Sequence, residues 1–471
     1  MRKLTKLTAV FMALCLSVSA VALSGCNGSD GGNTGDGGSK LSSDSKVDTS
    51  SVKEIYYLNF KPEISQKYEA IAAQYEKETG IKVKVTTAAS GEYEKTLTTQ
   101  MANADSAPTI FQINGPVGYE NWKDYCADLK GTKLYDSLSD KSLAVTSGDG
   151  VYGIPYAVEG YGIIYNNAIM DKYFNSDKKS TEFSSMDEIK SFDNLKAVVE
   201  DMTKIKGDLG IKGVFASTSL KTGDDWRWQT HLVDVPLYYE FNTGGNALTN
   251  CLNAKELAFS GADNYKNIFD LYTNNSGTDK KQLGSKTVDE SMSEFAVGDV
   301  AMVQNGNWAW GQISSTKGNV VKDTDIKYLP IYTGAEGEET QGLCIGTENY
   351  FAINKESDPA KQQASVDFLE WLFSSDYGKK AVVDELGFIA PFTTFSDNEK
   401  PTDPLAKEVL AWMEKDGITS VPWVFAGIPS EKWKNDFGAD LLKYVQGQTE
   451  WAKVVENAKT SWAKEVQLKA E

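Results

Sequence analysis

The stretch Val52-Lys-Glu-Ile-Tyr-Tyr-Leu-Asn-Phe60 is rich in β-branched and aromatic residues and predicts the first strand of the folded body. Two more strands are predicted at Ile81-Lys-Val-Lys-Val85, which alternates, and at Pro108-Thr-Ile-Phe-Gln-Ile113. Between these strands, residues 64–78 and 92–104 have the apolar spacing of helices. A β-α-β-α-β order is typical of a mostly parallel sheet with helices on both faces, so the chain is predicted to be α/β.

The length and composition of the chain set the next limits. At 471 residues it is longer than one typical domain, and two lobes are expected. Its 41% hydrophobic and 24% charged residues are ordinary for a soluble globular protein. The formal charge of −18 argues against nucleic acid as a partner, because nucleic-acid binding needs a cationic surface. The same charge disfavours a polyanionic ligand.

The N-terminus has the features of an export signal. Three basic residues precede an apolar run from Leu7 to Leu23. The segment Leu23-Ser-Gly-Cys26 resembles a bacterial lipobox, which implies that residues 1–25 are a lipoprotein signal peptide and that Cys26 is acylated, as with palmitate. The alternative is an ordinary signal peptide with an incidental cysteine. Loss of the three basic residues moves the formal charge to about −21.

The segment after the signal is almost devoid of apolar residues. Residues 26–51 consist mainly of Gly, Ser, Asp, Asn and Thr and predict a flexible tether, with the body beginning at Val52. The expected location is therefore the extracytoplasmic side of a cell membrane, held by the lipid at Cys26. A Gram-positive surface and a periplasmic lipoprotein both remain open.

Rare residues exclude several chemistries. The body holds three widely spaced cysteines, Cys126, Cys251 and Cys344, with no metal-ligand spacing. They are expected to be buried free thiols, and a disulfide between two of them is the alternative. After the signal there is one histidine, His231, so histidine-based metal sites and Ser-His-Asp devices are disfavoured. No cofactor and no metal are predicted.

Four segments, in this order, resemble the extracellular solute-binding proteins of ABC importers, specifically the maltose-binding-like carbohydrate group. Together they extend the resemblance over most of the chain from Val52 onward. The segments are Gly153–Asn166, Glu294–Trp310 with its Phe-x-x-Gly-x-x-Ala-Met…Gly-x-Trp pattern, Tyr328–Pro330 followed by Gly342–Asn354, and Ala364–Ser374 with Gly387 and Pro391 beyond.

The resemblance implies a two-lobed periplasmic-binding-protein-like fold whose lobes are joined by a hinge of crossovers. The first lobe would comprise residues 52–158 plus 341–387, and the second residues 159–340 plus 388–471. Each lobe would be a mostly parallel sheet flanked by helices. It also implies a monomer without catalysis that closes on a carbohydrate and delivers it to the transmembrane subunits of a permease.

The resemblance places candidate ligand-binding residues in the second lobe. A sugar presents flat C–H faces edged by hydroxyls, which suit an indole beside polar groups. Trp308 and Trp310 alternate, so one of the two rings is expected to stack on the ligand. The candidates are Glu159, Tyr161, Trp226, Trp308, Trp310, Trp423 and Trp433. Arg227 is expected either to pair with Asp224 or Asp225 or to bind the ligand.

Polar residues that follow the first-lobe strands complete the candidate set. Because ligands bind beyond the carboxyl ends of such strands, these side chains are expected to hydrogen-bond hydroxyls. They are Asn59, Lys61, Glu63, Glu92, Gln112 and Asn114. The segment Phe111-Gln-Ile-Asn-Gly115 lacks the Trp and Asp expected from the maltose-binding pattern, so maltose itself is doubtful.

These observations predict a lipid-anchored substrate-binding protein of a carbohydrate importer. Within the binding class, a polyamine, a peptide or a metal is the alternative ligand. From another class, a secreted glycoside hydrolase would need two carboxylates flanking a bond, and Glu159 with Asp224 is the candidate pair.

Overall fold

A computed structural model describes residues 40–43, 47–89, 91–347, 349–396 and 398–470. The predicted signal peptide, the predicted lipidation site Cys26 and most of the predicted tether lie outside the described residues. In the ranges that are described, every helix is too short or too polar to cross a lipid bilayer.

The strands and helices alternate along the chain in the manner of α/β proteins. The strands are β1 (Lys40–Ser42), β2 (Glu54–Asn59), β3 (Lys82–Thr87), β4 (Ile110–Asn114), β5 (Asp128–Gly131), β6 (Val145–Ser147), β7 (Gly150–Pro155), β8 (Glu159–Asn166), β9 (Gly213–Phe215), β10 (Val300–Gly306), β11 (Ile326–Leu329), β12 (Gln341–Gly346), β13 (Asn349–Ile353) and β14 (Thr419–Pro422). The α-helices are α1 (Ser65–Thr79), α2 (Tyr93–Met101), α3 (Gly115–Trp122), α4 (Lys133–Asp136), α5 (Asn167–Phe174), α6 (Phe192–Lys204), α7 (Lys206–Leu209), α8 (Val233–Phe241), α9 (Ala247–Leu252), α10 (Ala262–Asn274), α11 (Val288–Ala296), α12 (Trp310–Ser315), α13 (Pro359–Ser374), α14 (Asp376–Lys380), α15 (Pro404–Met413), α16 (Glu431–Val445) and α17 (Trp451–Ala470).

The first lobe is built on a sheet of strand order β3-β2-β4-β13-β7-β6. Its β2, β3 and β4 lie within about three residues of the three predicted strands, and α1 and α2 are the predicted helices between them. Helices α1 and α13 bury their apolar residues against this sheet, as in the contacts of Tyr68 with Tyr57 and of Phe373 with Phe351. The predicted β-α-β-α-β unit is therefore confirmed.

The second lobe is built on a sheet of order β14-β12-β8-β10-β9, with β11 also paired to β8. All eight residues of β8 are buried, because helices cover both faces of the sheet. The C-terminal helices α16 and α17 pack together on this lobe. The two-lobed α/β fold is confirmed.

The expectation that each sheet is mostly parallel is wrong. In the first sheet β3-β2-β4 are parallel, whereas β13, β7 and β6 pair antiparallel. In the second sheet only the outer pairs β12–β14 and β9–β10 are parallel. In the first sheet there are two reasons: β6 and β7 form a local hairpin, and β13 returns from the hinge at the edge where β4 ends, so that Asn349 pairs with Asn114.

The chain crosses between the lobes at positions that differ from the expected lobe boundaries. Residues 341–346 form β12, which pairs with β8 and β14 and so belongs to the second sheet. Phe388 and Phe392 pack in the core of the first lobe, beyond the expected change at residue 388. At the hinge, the N–H of Val158 donates to the carbonyl of Ile389 (2.8 Å).

The folded body begins earlier than the predicted Val52. Strand β1 pairs in parallel with β5, and the side chain of Leu41 is 7% exposed in the core of the first lobe. Leu41 is an isolated apolar residue in a polar stretch, so the composition of that stretch predicts a flexible tether and does not indicate that Leu41 is buried. The three body cysteines are free and buried, as expected.

Candidate ligand-binding cleft

An aromatic cluster lies where the second lobe faces the first. The ring centroid of Trp308 is 6.1 Å from that of Trp226, 6.5 Å from that of Trp423 and 5.5 Å from that of His231. His231 in turn stacks on Tyr161, with centroids 4.3 Å apart. We call Trp226, Trp308 and Trp423 the indole cluster. The sequence pattern predicted all three of these indoles as ligand-binding residues.

Local backbone features place the indoles. Trp226 directly precedes a π-helical turn, Arg227–Leu232, and Trp308 lies in a 3₁₀ turn that follows β10. A Cβ on Gly306 would lie 2.2 Å from the Trp308 ring, and one on Gly346 would lie 2.6 Å from Trp423. Both positions therefore need glycine, because the indoles rest directly on the backbone of β10 and β12.

A buried ion pair joins the two lobes beside the indole cluster. The Nζ of Lys61, in the first lobe, lies 2.8 Å from Oε1 of Glu159 in the second lobe and 3.6 Å from Oε1 of Glu63. The side chains of Lys61 and Glu159 are 9% and 6% exposed. The same ammonium lies 5.3 Å from the centroid of the Trp308 ring.

The neighbours of Lys61 keep it charged despite burial. Burial opposes the charged form, but the carboxylate of Glu159, followed by Tyr156 and Glu63, holds the pKa of Lys61 well above its usual value. Lys61 is thus a charged contact between the lobes, and it makes a cation–π approach to the indole cluster.

The indole cluster contains buried donors that the protein does not satisfy. Among the described residues, the indole N–H groups of Trp308 and Trp423 have no hydrogen-bond acceptor. Buried donors normally have partners, so a ligand that carries acceptor oxygens would stabilise them.

Arg227 stands next to the indole cluster and departs from the simpler expectation. Its Cζ lies 3.9 Å from the centroid of the Trp226 ring, yet the described part of the chain gives it no carboxylate within salt-bridge distance. Asp224 instead accepts from the backbone N–H of Val288 (3.2 Å) and Asp225 from the side chain of Gln229 (3.0 Å).

The buried carboxyl group of Asp234 hydrogen-bonds to residues that adjoin the indole cluster. Oδ2 of Asp234 accepts from the hydroxyl of Tyr161 (3.0 Å), and Oδ1 accepts from the backbone N–H of Phe425 (2.9 Å). Burial raises the pKa of Asp234 to about 8. Asp234 thereby ties β8 to the segment that carries Trp423.

Three predicted residues lie away from the indole cluster. Trp310 packs on the core formed by α11, α12 and α15, on the opposite side of the chain from Trp308. Trp433 is fully buried between α16 and α17, and its N–H donates to the carbonyl of Ala458 (2.8 Å). Glu92 is exposed and pairs with Lys95 (3.0 Å).

The amides of the first lobe shape the loop that carries Lys61. Oε1 of Gln112 accepts from the backbone N–H of Phe60 (2.8 Å) and from the hydroxyl of Tyr57 (3.1 Å). Oδ1 of Asn59 accepts from the N–H of Lys61 (3.1 Å), while its Nδ2 donates to the carbonyl of Lys61 (2.8 Å). Asn114 occupies the N-cap position of α3, but its side chain makes no hydrogen bond to the first turn of that helix.

The sequence reasoning missed His231 and Asp234 as parts of the site, together with Tyr156 and Phe425. His231 and Phe425 lie beside the indole cluster in a π-helical and a 3₁₀ turn. Asp234 lies in the first turn of α8, and Tyr156 lies near the hinge and close to Lys61. No periodic pattern marks such positions. The rarity of histidine in the chain was the available signal for His231.

The two lobes touch on the flank of the cleft. A Cβ on Gly91, whose φ is +73°, would lie 3.2 Å from Cα of Gly223, and one on Gly115 would lie 3.6 Å from Cβ of Ala426. The arrangement is that of two lobes closed over an aromatic and charged cleft.

The described residues hold no group of three or more His, Cys, Asp or Glu side chains suited to a metal ion.

This fold is that of a two-lobed binding protein. Comparison of the chain with known protein families and solved structures identifies its family. The sequence model of the bacterial extracellular solute-binding protein family matches residues 70–411, and the chain belongs to that family. No curated protein sequence matches the chain.

Solved structures share the fold at low sequence identity. A chitin oligosaccharide binding protein is 17% identical with a TM-score of 0.68, over 88% of this chain and 99% of that chain. The binding protein RafE in complex with raffinose is 19% identical with a TM-score of 0.66, over 88% and 99%. A sugar transporter from Bacillus licheniformis in complex with stachyose is 18% identical with a TM-score of 0.65, over 88% and 100%.

Proposed function

We propose that this protein is the lipid-anchored substrate-binding component of a carbohydrate ABC importer. It captures a sugar or oligosaccharide between its lobes, closes about the hinge and delivers the ligand to the transmembrane subunits of a permease. Its role is binding rather than catalysis, in keeping with its family.

The indole cluster is the observation that carries the proposal. Three indoles meet at one face, two of them with unsatisfied buried N–H donors, and Lys61 and Glu159 approach from the two sides. Apolar faces suit the C–H faces of a pyranose, while the donors suit its hydroxyl oxygens. The similar structures named above were solved with, or are described as binding, oligosaccharides, which supports the same ligand class.

The alternative ligands fit the cleft less well. A polyamine would need free carboxylates, but Glu159 and Glu63 already flank Lys61 at 2.8 and 3.6 Å. A glycoside hydrolase would need Glu159 and Asp224 to flank a bond, yet Glu159 pairs with Lys61 and Asp224 accepts from the backbone of Val288.

Thermal unfolding against a ligand panel tests the proposal. The chain from Asn27 onward omits the predicted signal and Cys26 and keeps every described element. It would be heated with mono- and oligosaccharides, peptides and polyamines. A ligand that binds the folded form alone adds about 2.7 kcal/mol of stability at a hundred times its Kd. A saturable shift with saccharides and no turnover supports the proposal, whereas a shift with peptides or polyamines alone would contradict it.

The anchor has its own test. The full chain and a Cys26→Ala variant would be expressed in bacteria fed labelled palmitate. Label in the membrane fraction for the wild type, and not for the variant, supports acylation at Cys26. Equal secretion of both chains without label would contradict it.

A further inference from the structure

The two cations of the cleft differ in how they are compensated. Lys61 lies within 4.0 Å of two carboxylates, Glu159 and Glu63. Arg227 is 3% exposed, and within the described ranges no carboxylate lies at salt-bridge distance from its guanidinium. Its Nε and Nη1 atoms are buried without a hydrogen-bond partner. A buried charge without a partner is costly, and Arg227 is the sole arginine after the signal.

The carboxylates nearest to Arg227 in the chain are engaged elsewhere. Oδ1 of Asp224 accepts from the N–H of Val288, and its Oδ2 lies 4.0 Å from Nζ of Lys221. Oδ1 of Asp225 accepts from Gln229 (3.0 Å) and from the N–H of Gly223 (3.2 Å). The fold thus directs both neighbouring carboxylates away from the guanidinium.

The guanidinium is nevertheless charged. Burial lowers the pKa of Arg227 to about 9, against the opposing effect of Glu63, Asp224 and Asp289 at longer range. A group with a pKa of about 9 remains protonated at neutral pH. The carbonyl of Arg227 accepts from Nε2 of Gln304 (3.0 Å), which fixes its backbone to β10.

The guanidinium lies beside the proposed ligand site. It lies over the Trp226 ring, which is 6.1 Å from the ring of Trp308, and it is close enough to Glu63 of the first lobe to interact by charge. A guanidinium presents two parallel N–H groups that match a carboxylate, an arrangement stronger than a bond to a neutral hydroxyl.

We propose that the carbohydrate ligand carries one carboxylate, as in a uronic acid residue, and that this group binds Arg227. The inference rests on the proposed function and specifies its substrate class. A single acidic residue within an otherwise neutral saccharide fits the cleft, because Glu63, Glu159 and the negative charge of the chain repel a polyuronate.

A water molecule is the competing partner for Arg227. A cavity of about 10 Å³ is lined by Arg227, Gln304 and Ser291, among others, and has room for about one water. A water accepts a hydrogen bond but brings no charge, so it would leave no preference between acidic and neutral sugars. The two partners therefore predict different binding profiles.

Calorimetric titration of the chain from Asn27 onward with matched saccharides separates them. The matched pairs are glucuronate with glucose and galacturonate with galactose, used as free sugars and as units of otherwise identical disaccharides. The two members of each pair differ at a single carbon. We expect the acidic member to bind at least tenfold more tightly. The Arg227→Gln variant should lose that preference, Arg227→Lys should keep part of it, and Lys221→Gln, which removes an exposed cation nearby, should leave it unchanged.

Three outcomes would overturn the inference. Equal binding of acidic and neutral members by the wild type assigns Arg227 to water or hydroxyls and leaves the proposed function standing. An equal loss of affinity for the acidic and the neutral saccharide in Arg227→Gln would likewise assign Arg227 to water or hydroxyls. Binding of no saccharide from either set overturns the inference together with the proposed function. The wild-type comparison stands even if a variant fails to fold.

Discussion

The two lobes bring different chemistry to the cleft between them. In the first lobe, the side chains of Asn59 and Gln112 are satisfied by their own loop. In the second lobe, the indole N–H groups of Trp308 and Trp423 and two nitrogens of Arg227 have no acceptor among the described residues. In the proposed function, the second lobe therefore supplies most of the groups that bind the ligand, while the first lobe contributes Lys61 and the buried hydroxyl of Tyr156.

The largest expected effect concerns the contact between the lobes. Lys61→Met leaves Glu159 buried without its partner, and such losses cost about 3–5 kcal/mol. We expect a comparable fall in the free energy of unfolding, measured with urea. The matched control is Lys82→Met, because the Lys82–Glu54 pair is 55% and 44% exposed and should cost less than about 1 kcal/mol. Equal effects of the two substitutions would show that the Lys61–Glu159 pair is not buried in solution.

The next effect concerns affinity in the second lobe. Trp308→Ala removes a stacking surface at the centre of the indole cluster and should weaken ligand binding by about 2 kcal/mol, roughly thirtyfold. Trp310→Ala is the control, because Trp310 packs on a different core and should lower stability without a comparable loss of affinity. Calorimetry on both variants measures this difference. A larger affinity loss in Trp310→Ala would reverse the assignment of the two rings.

A smaller effect is expected in the first lobe, on stability rather than affinity. Gln112→Leu leaves the N–H of Phe60 without its acceptor, and an unsatisfied buried group costs about 1–3 kcal/mol. The Kd of the folded protein should change little, because Gln112 shapes the loop and does not contact the indoles. A thirtyfold loss of affinity with unchanged stability would instead make Gln112 a direct ligand contact and break the comparison between the lobes.

A separate effect, on the pH dependence of stability, concerns Asp234. Its pKa is raised from 3.8 to about 8, so its contribution to stability is fully present below about pH 4 and is lost as the pH rises through 8. Asp234→Asn cannot ionise. We expect the wild type to lose more stability than the variant in urea unfolding between pH 5 and pH 9. Parallel pH profiles would show that Asp234 does not titrate in this range.

The sequence predicted the fold where periodicity carries the signal. The alternation of residues 81–85 and the apolar spacing of residues 64–78 mark β3 and α1 correctly. Strand direction was missed, because a chain that crosses the hinge reverses the direction in which it enters a sheet, and no local pattern records that. Leu41 was missed because one apolar residue pairs with β5 only through a long-range contact.

The candidate site was predicted in part for the same reasons. Trp226, Trp308 and Trp423 come together, but Trp433 has a similar sequence context and lies in a core instead. Its partner Ala458 is 25 residues away in the chain, a contact that the sequence does not reveal. Trp308 and Trp310 were expected to separate as alternating residues of an extended chain. They do lie in different cores, but they sit in a 3₁₀ turn and at the start of α12, where residues two apart also face different ways. The role of Asp234 depends on burial that only the assembled lobe creates.

Hydrogen–deuterium exchange with and without a bound saccharide shows where the ligand is held. A ligand between the lobes should slow exchange in both lobes at once, over residues 58–63 of the first lobe and over residues 223–232, 303–310 and 420–428 of the second. Helices α16 and α17 should exchange at the same rate in both states. Protection confined to one lobe, or absent around Trp308, would contradict a ligand held between the lobes at the indole cluster.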